Sequence, residues 1–142
     1  MRKTTIALAL AAGAGLASPG AGADVAFWLT ILHNNDGESQ LIDAGTGRED
    51  FGGVARFATV VDNLRAEALV NPPLPTSADR GSLLISAGDN FLAGPEFNAS
   101  LNNGVPFFDT IAMELIGYDA AAVGNHEFDF GPDVLADFLD GF

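Results

Sequence analysis

Three clusters of polar side chains each follow a short apolar segment. The clusters are Asn35-Asp36-Gly37-Glu38, Gly88-Asp89-Asn90 and Gly124-Asn125-His126-Glu127. Carboxylate and amide oxygens are hard ligands for divalent cations, and an imidazole can bind a metal, move a proton or stabilise charge. If the apolar segments are parallel strands of one sheet, the clusters lie along its carboxyl edge, where ligands of α/β proteins bind. The pattern therefore predicts a hydrolytic metal site.

Each cluster also has a simpler structural interpretation. Asp36-Gly37 is typical of a hairpin turn, and Asp89-Asn90 is typical of a locally hydrogen-bonded turn. Asn125 could likewise shape a turn in which His126 bonds locally. Asp129 lies three residues after His126 and could orient its ring, since a base held by a carboxylate is a recurring catalytic arrangement. These alternatives stay open from the residues alone.

The spacing of apolar residues predicts the elements that would position these clusters. We expect strands over Val25–His33, Ser82–Ser86 and Ala120–Val123. Helices are expected over Gly53–Val70, between Pro106 and Gly117, and from Pro132 onward, with long loops over Asn34–Asp50 and Gly88–Gly104. His33 is expected to face the core or a polar layer. Alternating strands and helices indicate an α/β fold with mainly parallel strands.

The N-terminus has the pattern of an export signal. Arg2 and Lys3 precede the apolar run Ile6–Ala17, and Ala21-Gly22-Ala23 fits a cleavage site. The run is shorter than the roughly 20 apolar residues that span a bilayer. We expect residues 1–23 to be a signal peptide and the product to be periplasmic, wall-associated or secreted, with no membrane span after cleavage.

The charge of the chain limits its partners. Without residues 1–23, four arginines face 19 acidic side chains, so the formal charge falls from −13 to −15. Such a surface repels nucleic acid polymers and anionic membranes. It also repels phosphate esters, so a site for them needs metal cations to reverse the local field.

The motifs in this order resemble the metallophosphoesterase (calcineurin-like) superfamily, and specifically its exported bacterial 5′-nucleotidases. The resemblance covers nearly all of residues 26–142. It is carried by Leu29–Asp36, Gly52–Arg56, Ile85–Asn90, Ile116–Ala120 and Val123–Asp129. It implies the N-terminal half of a four-layer αββα sandwich with β-α-β-α-β-α order. It also implies two-metal hydrolysis of a small phosphate ester, such as a 5′-nucleotide.

The resemblance also implies a role for each matching residue. Asp36 would bind the first metal, Asp89 would bridge both, and Asn125 would bind the second. His126, paired with Asp129, would stabilise the transition state or protonate the leaving oxygen. Glu38 occupies a position at which the family usually has histidine, and it is a further candidate ligand. An oxygen-rich site of this kind would favour Mn, Mg or Fe over Zn.

The family completes its site with histidines further along the chain, whereas this sequence has only His33 and His126. We therefore expect residues 24–142 to be a truncated N-terminal portion of a metallophosphoesterase domain, with weak metal binding and slow turnover or none by itself. The alternative is an exported acidic module that binds metal without catalysis, although no Asp-x-Asp-x-Asp-Gly calcium loop is present.

Overall fold

The computed structural model describes residues 25–73 and 78–142 and has an α/β fold. The order of elements is β1 (Phe27–Asn34), α1 (Val54–Ala68), β2 (Asp79–Ser86), α2 (Pro95–Asn103), α3 (Phe108–Ile116), β3 (Ala120–Ala121), a 3₁₀ turn (His126–Phe128) and α4 (Pro132–Leu139). The predicted signal peptide lies outside the described residues. None of the helices within those two ranges is long and apolar enough to cross a membrane.

The three strands form one parallel sheet in the order β1-β2-β3. Asn34 pairs with Ser86, and Ser86 pairs with Ala121, so the strands end at the same edge. The third strand is shorter than predicted. Its last ladder bond runs from Ala122 N to Ser86 O over 2.8 Å, because the chain then turns away toward the 3₁₀ turn. The sheet edge therefore collects all three polar clusters.

Helices α1 and α3 cover one face of this sheet. Leu84 is 1 % exposed and packs in a cluster with Val61 of α1 and Ile116 of α3. The opposite face of β1 carries three large apolar side chains that are about half exposed, namely Phe27, Leu29 and Ile31. His33 alternates onto this face and is exposed, although it was expected to face the core or a polar layer. The described residues contain a single sheet, and one of its faces is open.

An aromatic core fixes the part of the chain that follows β2. Its buried members are Phe91, Phe97, Phe107, Met113 and Phe138. The rings of Phe91 and Phe97 stack with centroids 4.4 Å apart. This cluster packs α2, α3 and α4 around the loop after β2.

Two boundaries of the α-helices were predicted well and one helix was missed. Helix α3 ends at Gly117, which has a left-handed conformation and satisfies the last carbonyls of the helix. Helix α4 begins at Pro132, as the sequence indicates. Helix α2 lies within Gly88–Gly104, a segment expected to be a loop. Burial of Phe97 and Ser100 against the aromatic core stabilises it despite its asparagines.

Candidate active site

Backbone hydrogen bonds join the loop after β1 to the loop after β2. The N–H of Asp36 donates to Gly88 O over 3.2 Å, and the N–H of Glu38 donates to Asp89 O over 3.0 Å. Ser39 N–H continues the series to Asn90 O over 3.1 Å. The ladder of β1 and β2 thus extends into the polar clusters. It places the backbones of Asp36, Glu38 and Asp89 side by side at the sheet edge.

The loop after β3 lies directly against the loop after β2. The N–H of His126 donates to Asp89 Oδ1 over 2.9 Å. A Cβ on Gly88 would lie 2.7 Å from Gly124 N, and a Cβ on Gly124 would lie 2.5 Å from Asp89 N. No side chain fits at these separations, so both positions require glycine. The sequence therefore brings Asn125 and His126 to the same edge as Asp89.

Several residues of the candidate site have left-handed backbone conformations that non-glycine residues seldom adopt. The φ angles are 53° at Asp36, 49° at Glu38 and 53° at Asp89. Asp tolerates this region better than most residues, but it still costs free energy unless the surroundings enforce it. Such conformations concentrate at functional sites. Three of the four candidate metal ligands are therefore held in orientations that a relaxed loop would not choose.

His126 and Asp129 form a close pair on the 3₁₀ turn. The ring Nδ1 lies 2.6 Å from Asp129 Oδ2, and because a carboxylate only accepts, Nδ1 carries the proton. This hydrogen bond raises the pKa of His126 above 6.5, whereas burial opposes the rise. The charges of Asp129, Asp89 and Glu38 raise the pKa further. The imidazole thus senses carboxylates from all three loops.

Sequence reasoning missed Glu127 as a residue of this site. Its side chain is fully buried, and its carboxylate accepts hydrogen bonds from Asp89 N, Asn90 N, Asn90 Nδ2 and Gly124 N. These partners lie on the loops after β2 and β3. The sequence Gly124-Asn125-His126-Glu127 places Glu127 next to His126. No local pattern indicated that Glu127 contacts Asn90 and Asp89, which lie 37 and 38 positions earlier in the chain.

The chemistry of the donor set fits a divalent metal. Asp36, Glu38 and Asp89 offer carboxylate oxygens, and Asn125 offers an amide oxygen, all at one edge of the sheet. Their side chains do not yet converge, however. Among residues 25–73 and 78–142, no three His, Cys, Asp or Glu side chains lie close enough together to hold a metal ion. The structure thus brings the loops together, and the assignment of each residue as a ligand stays a prediction.

A cavity of about 460 Å³ lies beside the site, between the loop after β1 and helices α1 and α3. Asp36 and Asn90 line it, whereas Asp89, Asn125 and His126 do not. Tyr118 also lines it and donates its hydroxyl to Asn34 Oδ1 over 2.8 Å. Burial raises the pKa of Tyr118 to about 12, so the phenol stays protonated at neutral pH. The cavity is therefore adjacent to the candidate site and separate from the His126–Asp129 pair.

Comparison with known proteins finds similarity to 5′-nucleotidases. The chain is 40 % identical to a snake venom 5′-nucleotidase of Naja atra over 119 residues, which is 80 % of this chain. It is 40 % identical to a 5′-nucleotidase of Vibrio parahaemolyticus over 138 residues, or 94 % of this chain. A crystal structure of a 5′-nucleotidase precursor from Thermus thermophilus matches 80 % of the chain with a TM-score of 0.57 and 34 % identity.

The chain is similar to 5′-nucleotidases over 80–94 % of its own length. The sequence resemblance and the α/β fold class are thereby confirmed. The chain spans about a fifth of the length of these relatives: 20 % of the Naja atra protein, 22 % of the Vibrio protein and 20 % of the Thermus chain. No family model matches the chain. The 5′-nucleotidase relationship thus rests on individual relatives and on the shared fold.

Proposed function

We propose that this chain carries part of the catalytic centre of a metal-dependent hydrolase of phosphate esters, acting on 5′-nucleotides or related nucleotides. The observation that carries the proposal is the shared sheet edge. The loops holding Asp36, Asp89 and Asn125 are hydrogen-bonded to one another there, next to the His126–Asp129 pair. The relationship to 5′-nucleotidases supports the same chemistry.

Two divalent metal ions are the cofactors that this proposal requires. Asp36 and Glu38 would hold one ion, Asn125 would hold the other, and Asp89 would bridge both. When bound, the ions would supply positive charge to phosphoryl oxygens and acidify a water molecule. The all-oxygen donor set favours Mn, Mg or Fe over Zn. A cationic centre also explains how a protein of formal charge −13 could accept an anionic substrate.

The protein's own catalytic groups would act on the proton and the developing charge. Asp129 holds Nδ1 of His126 and fixes the ring, which leaves Nε2 available to donate a proton to the leaving oxygen. The raised pKa of His126 keeps a larger share of the ring protonated at neutral pH. We assign proton donation or stabilisation of the transition state to His126, and orientation of its ring to Asp129.

We further propose that residues 24–142 are the N-terminal portion of a larger metallophosphoesterase domain, exported after removal of residues 1–23. The support is that the chain covers about a fifth of its relatives and contains only two histidines. The isolated chain should then bind metal weakly and turn over slowly. Full nucleotidase activity of the isolated chain would contradict the partial-site proposal.

A combined metal and activity assay tests the function. The complete enzyme that contains this chain is loaded with Mn²⁺, and both bound metal and phosphate release from AMP are measured for the wild type, two variants and a control. Asp89→Ala should lower metal content and turnover together. His126→Ala should keep the metal and lower turnover by roughly 10²- to 10⁴-fold, the usual contribution of general acid catalysis. Asp133→Asn, an exposed acidic residue of α4, is the matched control and should change neither.

Three results would separate the proposal from its alternative. Metal binding with no phosphate release from the complete wild-type enzyme would favour an acidic metal-binding module. Loss of metal in His126→Ala with unchanged residual turnover would contradict the role of His126. Equal effects of Asp89→Ala and Asp133→Asn would show that metal binding is a general property of the acidic surface.

A further inference from the structure

The buried carboxylate of Glu127 joins two loops of the candidate site. Oε2 accepts the N–H of Asp89 over 3.1 Å and the N–H of Gly124 over 2.6 Å. Oε1 accepts the N–H of Asn90 over 2.6 Å and its side-chain amide over 2.9 Å. A single oxygen thus bridges the loop after β2 and the loop after β3. The other oxygen binds one residue through both its backbone and its side chain.

Burial of the Glu127 carboxylate costs free energy unless its oxygens are fully hydrogen-bonded. Its side chain is 0 % exposed, and a buried carboxylate without partners is strongly unfavourable. Here four N–H donors satisfy it, three of them from the backbone. The backbone N–H groups remain when their own residues are replaced by anything other than proline. Glu127 is the one acceptor that these bonds share, so replacing it alone should loosen the loops.

Each loop that Glu127 holds carries a proposed metal ligand. Asp89 itself donates its N–H to Glu127 and has a left-handed φ of 53°, which needs support from its surroundings. Gly124, the other partner of Oε2, directly precedes Asn125. The N–H of His126 donates to Asp89 Oδ1 and is a second link between the same two loops. Glu127 thus contributes to the separation of Asp89 and Asn125.

We propose that Glu127 is a positioning residue, which holds the Asp89 and Asn125 loops at the separation required to share metal ions and does not itself contact metal or substrate. This inference rests on the proposed function. Groups that orient metal ligands from behind typically change metal affinity roughly 10- to 100-fold when they are replaced. Glu127 is buried behind the loops and reaches the site only through their amides, which is the arrangement expected of such a group.

The test compares Glu127→Gln with Asp119→Asn. The amide of the Gln variant can accept at one end only, so one pair of N–H donors loses its acceptor while the side-chain shape is kept. Asp119 is a matched control, because its carboxylate also accepts a backbone N–H, that of Leu84 over 2.7 Å, but away from the proposed ligands. Mn²⁺ affinity is measured by the electron paramagnetic resonance signal of free Mn²⁺. The amide shifts and hydrogen exchange of Asp89, Asn90 and Gly124 are measured without metal.

The positioning role predicts that Glu127→Gln weakens Mn²⁺ binding at least about tenfold. It also predicts faster exchange, in the metal-free chain, of the pair of donors that loses its acceptor, either the Asp89 and Gly124 amides or the Asn90 amides, whereas Asp119→Asn changes neither property even if it lowers the melting temperature. A folded Glu127→Gln variant with Mn²⁺ affinity within about twofold of the wild type would overturn the proposal. If that variant does not fold, Asn90→Ser removes the side-chain donor to Oε1, together with the bonds of the Asn90 amide to Ser86 Oγ and Ala122 O. It should weaken binding by a smaller factor, and unchanged affinity would likewise overturn the role.

The experiment distinguishes failure of the proposed metal site from failure of the proposed positioning role of Glu127. A wild-type chain that binds no Mn²⁺ at these loops would contradict the proposed function. The positioning role is then decided by the metal-free chain. Unchanged amide shifts and exchange at Asp89, Asn90 and Gly124 in Glu127→Gln would refute it, and local changes at one of the two donor pairs would support it.

Discussion

The pair formed by His126 and Asp129 sets the proton chemistry available to this protein. Their side chains are 32 % and 43 % exposed, so solvent and salt screen the interaction. The hydrogen bond to Asp129 raises the pKa of His126. Because the folded-state pKa lies above the ordinary value of 6.5, the pair stabilises the fold fully below pH 6.5. That contribution is lost as the pH rises through the folded-state pKa.

Replacement of Asp129 should therefore return the ring toward ordinary behaviour. In Asp129→Asn the charged acceptor is lost, and the pKa of His126 should fall toward 6.5, as measured by NMR titration of the ring in the metal-free chain. Any activity that requires the protonated ring of His126 should then be lost at a lower pH than in the wild type. Asp133→Asn should leave the titration nearly unchanged. A His126 pKa that does not move in Asp129→Asn would show that the close contact has no electrostatic effect.

Helices α2 and α3 are joined by a buried polar contact within the aromatic core. Ser100 Oγ of α2 donates to Asp109 Oδ2 of α3 over 3.2 Å, and both residues are buried. Asp109 Oδ1 and Ser39 Oγ have no partner in hydrogen-bond geometry among the described residues. Burial raises the pKa of Asp109, while the nearby hydroxyls of Ser39 and Ser100 oppose this. The carboxyl at this junction is therefore more easily kept neutral than an exposed aspartate.

This raised pKa gives a pH-dependent stability with a defined sign. The contribution of Asp109 is fully present below its ordinary pKa of 3.8 and is lost as the pH rises through the higher folded-state value. Asp109→Asn, which cannot ionise, should gain stability relative to the wild type across that window. Urea unfolding of both proteins from about pH 4 to about pH 8 measures the difference in their free energies of unfolding, with Asp133→Asn correcting for the general loss of one negative charge. A difference that stays constant or shrinks as the pH rises would contradict the effect of burial on Asp109.

The two faces of the sheet should respond differently to truncation. Leu84 is 1 % exposed under α1 and α3, so Leu84→Ala should cost about 2–5 kcal/mol in the free energy of unfolding. Leu29 is 46 % exposed on the open face, and Leu29→Ala should cost about 1 kcal/mol or less. Denaturant unfolding of both variants provides the comparison. Similar costs at the two positions would mean that the open face is covered in solution.

Local sequence predicted those elements whose signals are local. Helix α1 follows from its apolar stripe, α3 from its terminal Gly117, and α4 from its initial Pro132. Helix α2 has the same start and stop signals, Pro95 at its first turn and Gly104 directly after its end, but it was missed because its asparagines favour a loop. Burial of Phe97 against the aromatic core stabilises this segment as a helix. Tertiary packing outweighs local propensity there.

At the scale of the whole molecule, the sequence predicted that three loops meet, but not what holds them together. Parallel strands brought the Asp36, Asp89 and Asn125 clusters to one edge because strand ends align in such a sheet. The hydrogen bonds of Glu127 to these loops were missed, because its partners are mainly backbone amides, which every residue type except proline has. The orientations of the candidate ligand side chains also cannot be predicted from the sequence, because they depend on rotamers and on the bound ion.

The most direct test of the account asks whether one divalent ion senses all three loops. Mn²⁺ is titrated into the isotopically labelled chain, and paramagnetic broadening of each amide signal is recorded by NMR. We predict that Asp36, Glu38, Asp89, Asn125 and His126 broaden together at low Mn²⁺ and that Asp89→Asn abolishes this pattern. Broadening that spreads first over the exposed acidic residues of α1 and α4, or that persists unchanged in Asp89→Asn, would contradict a shared metal site.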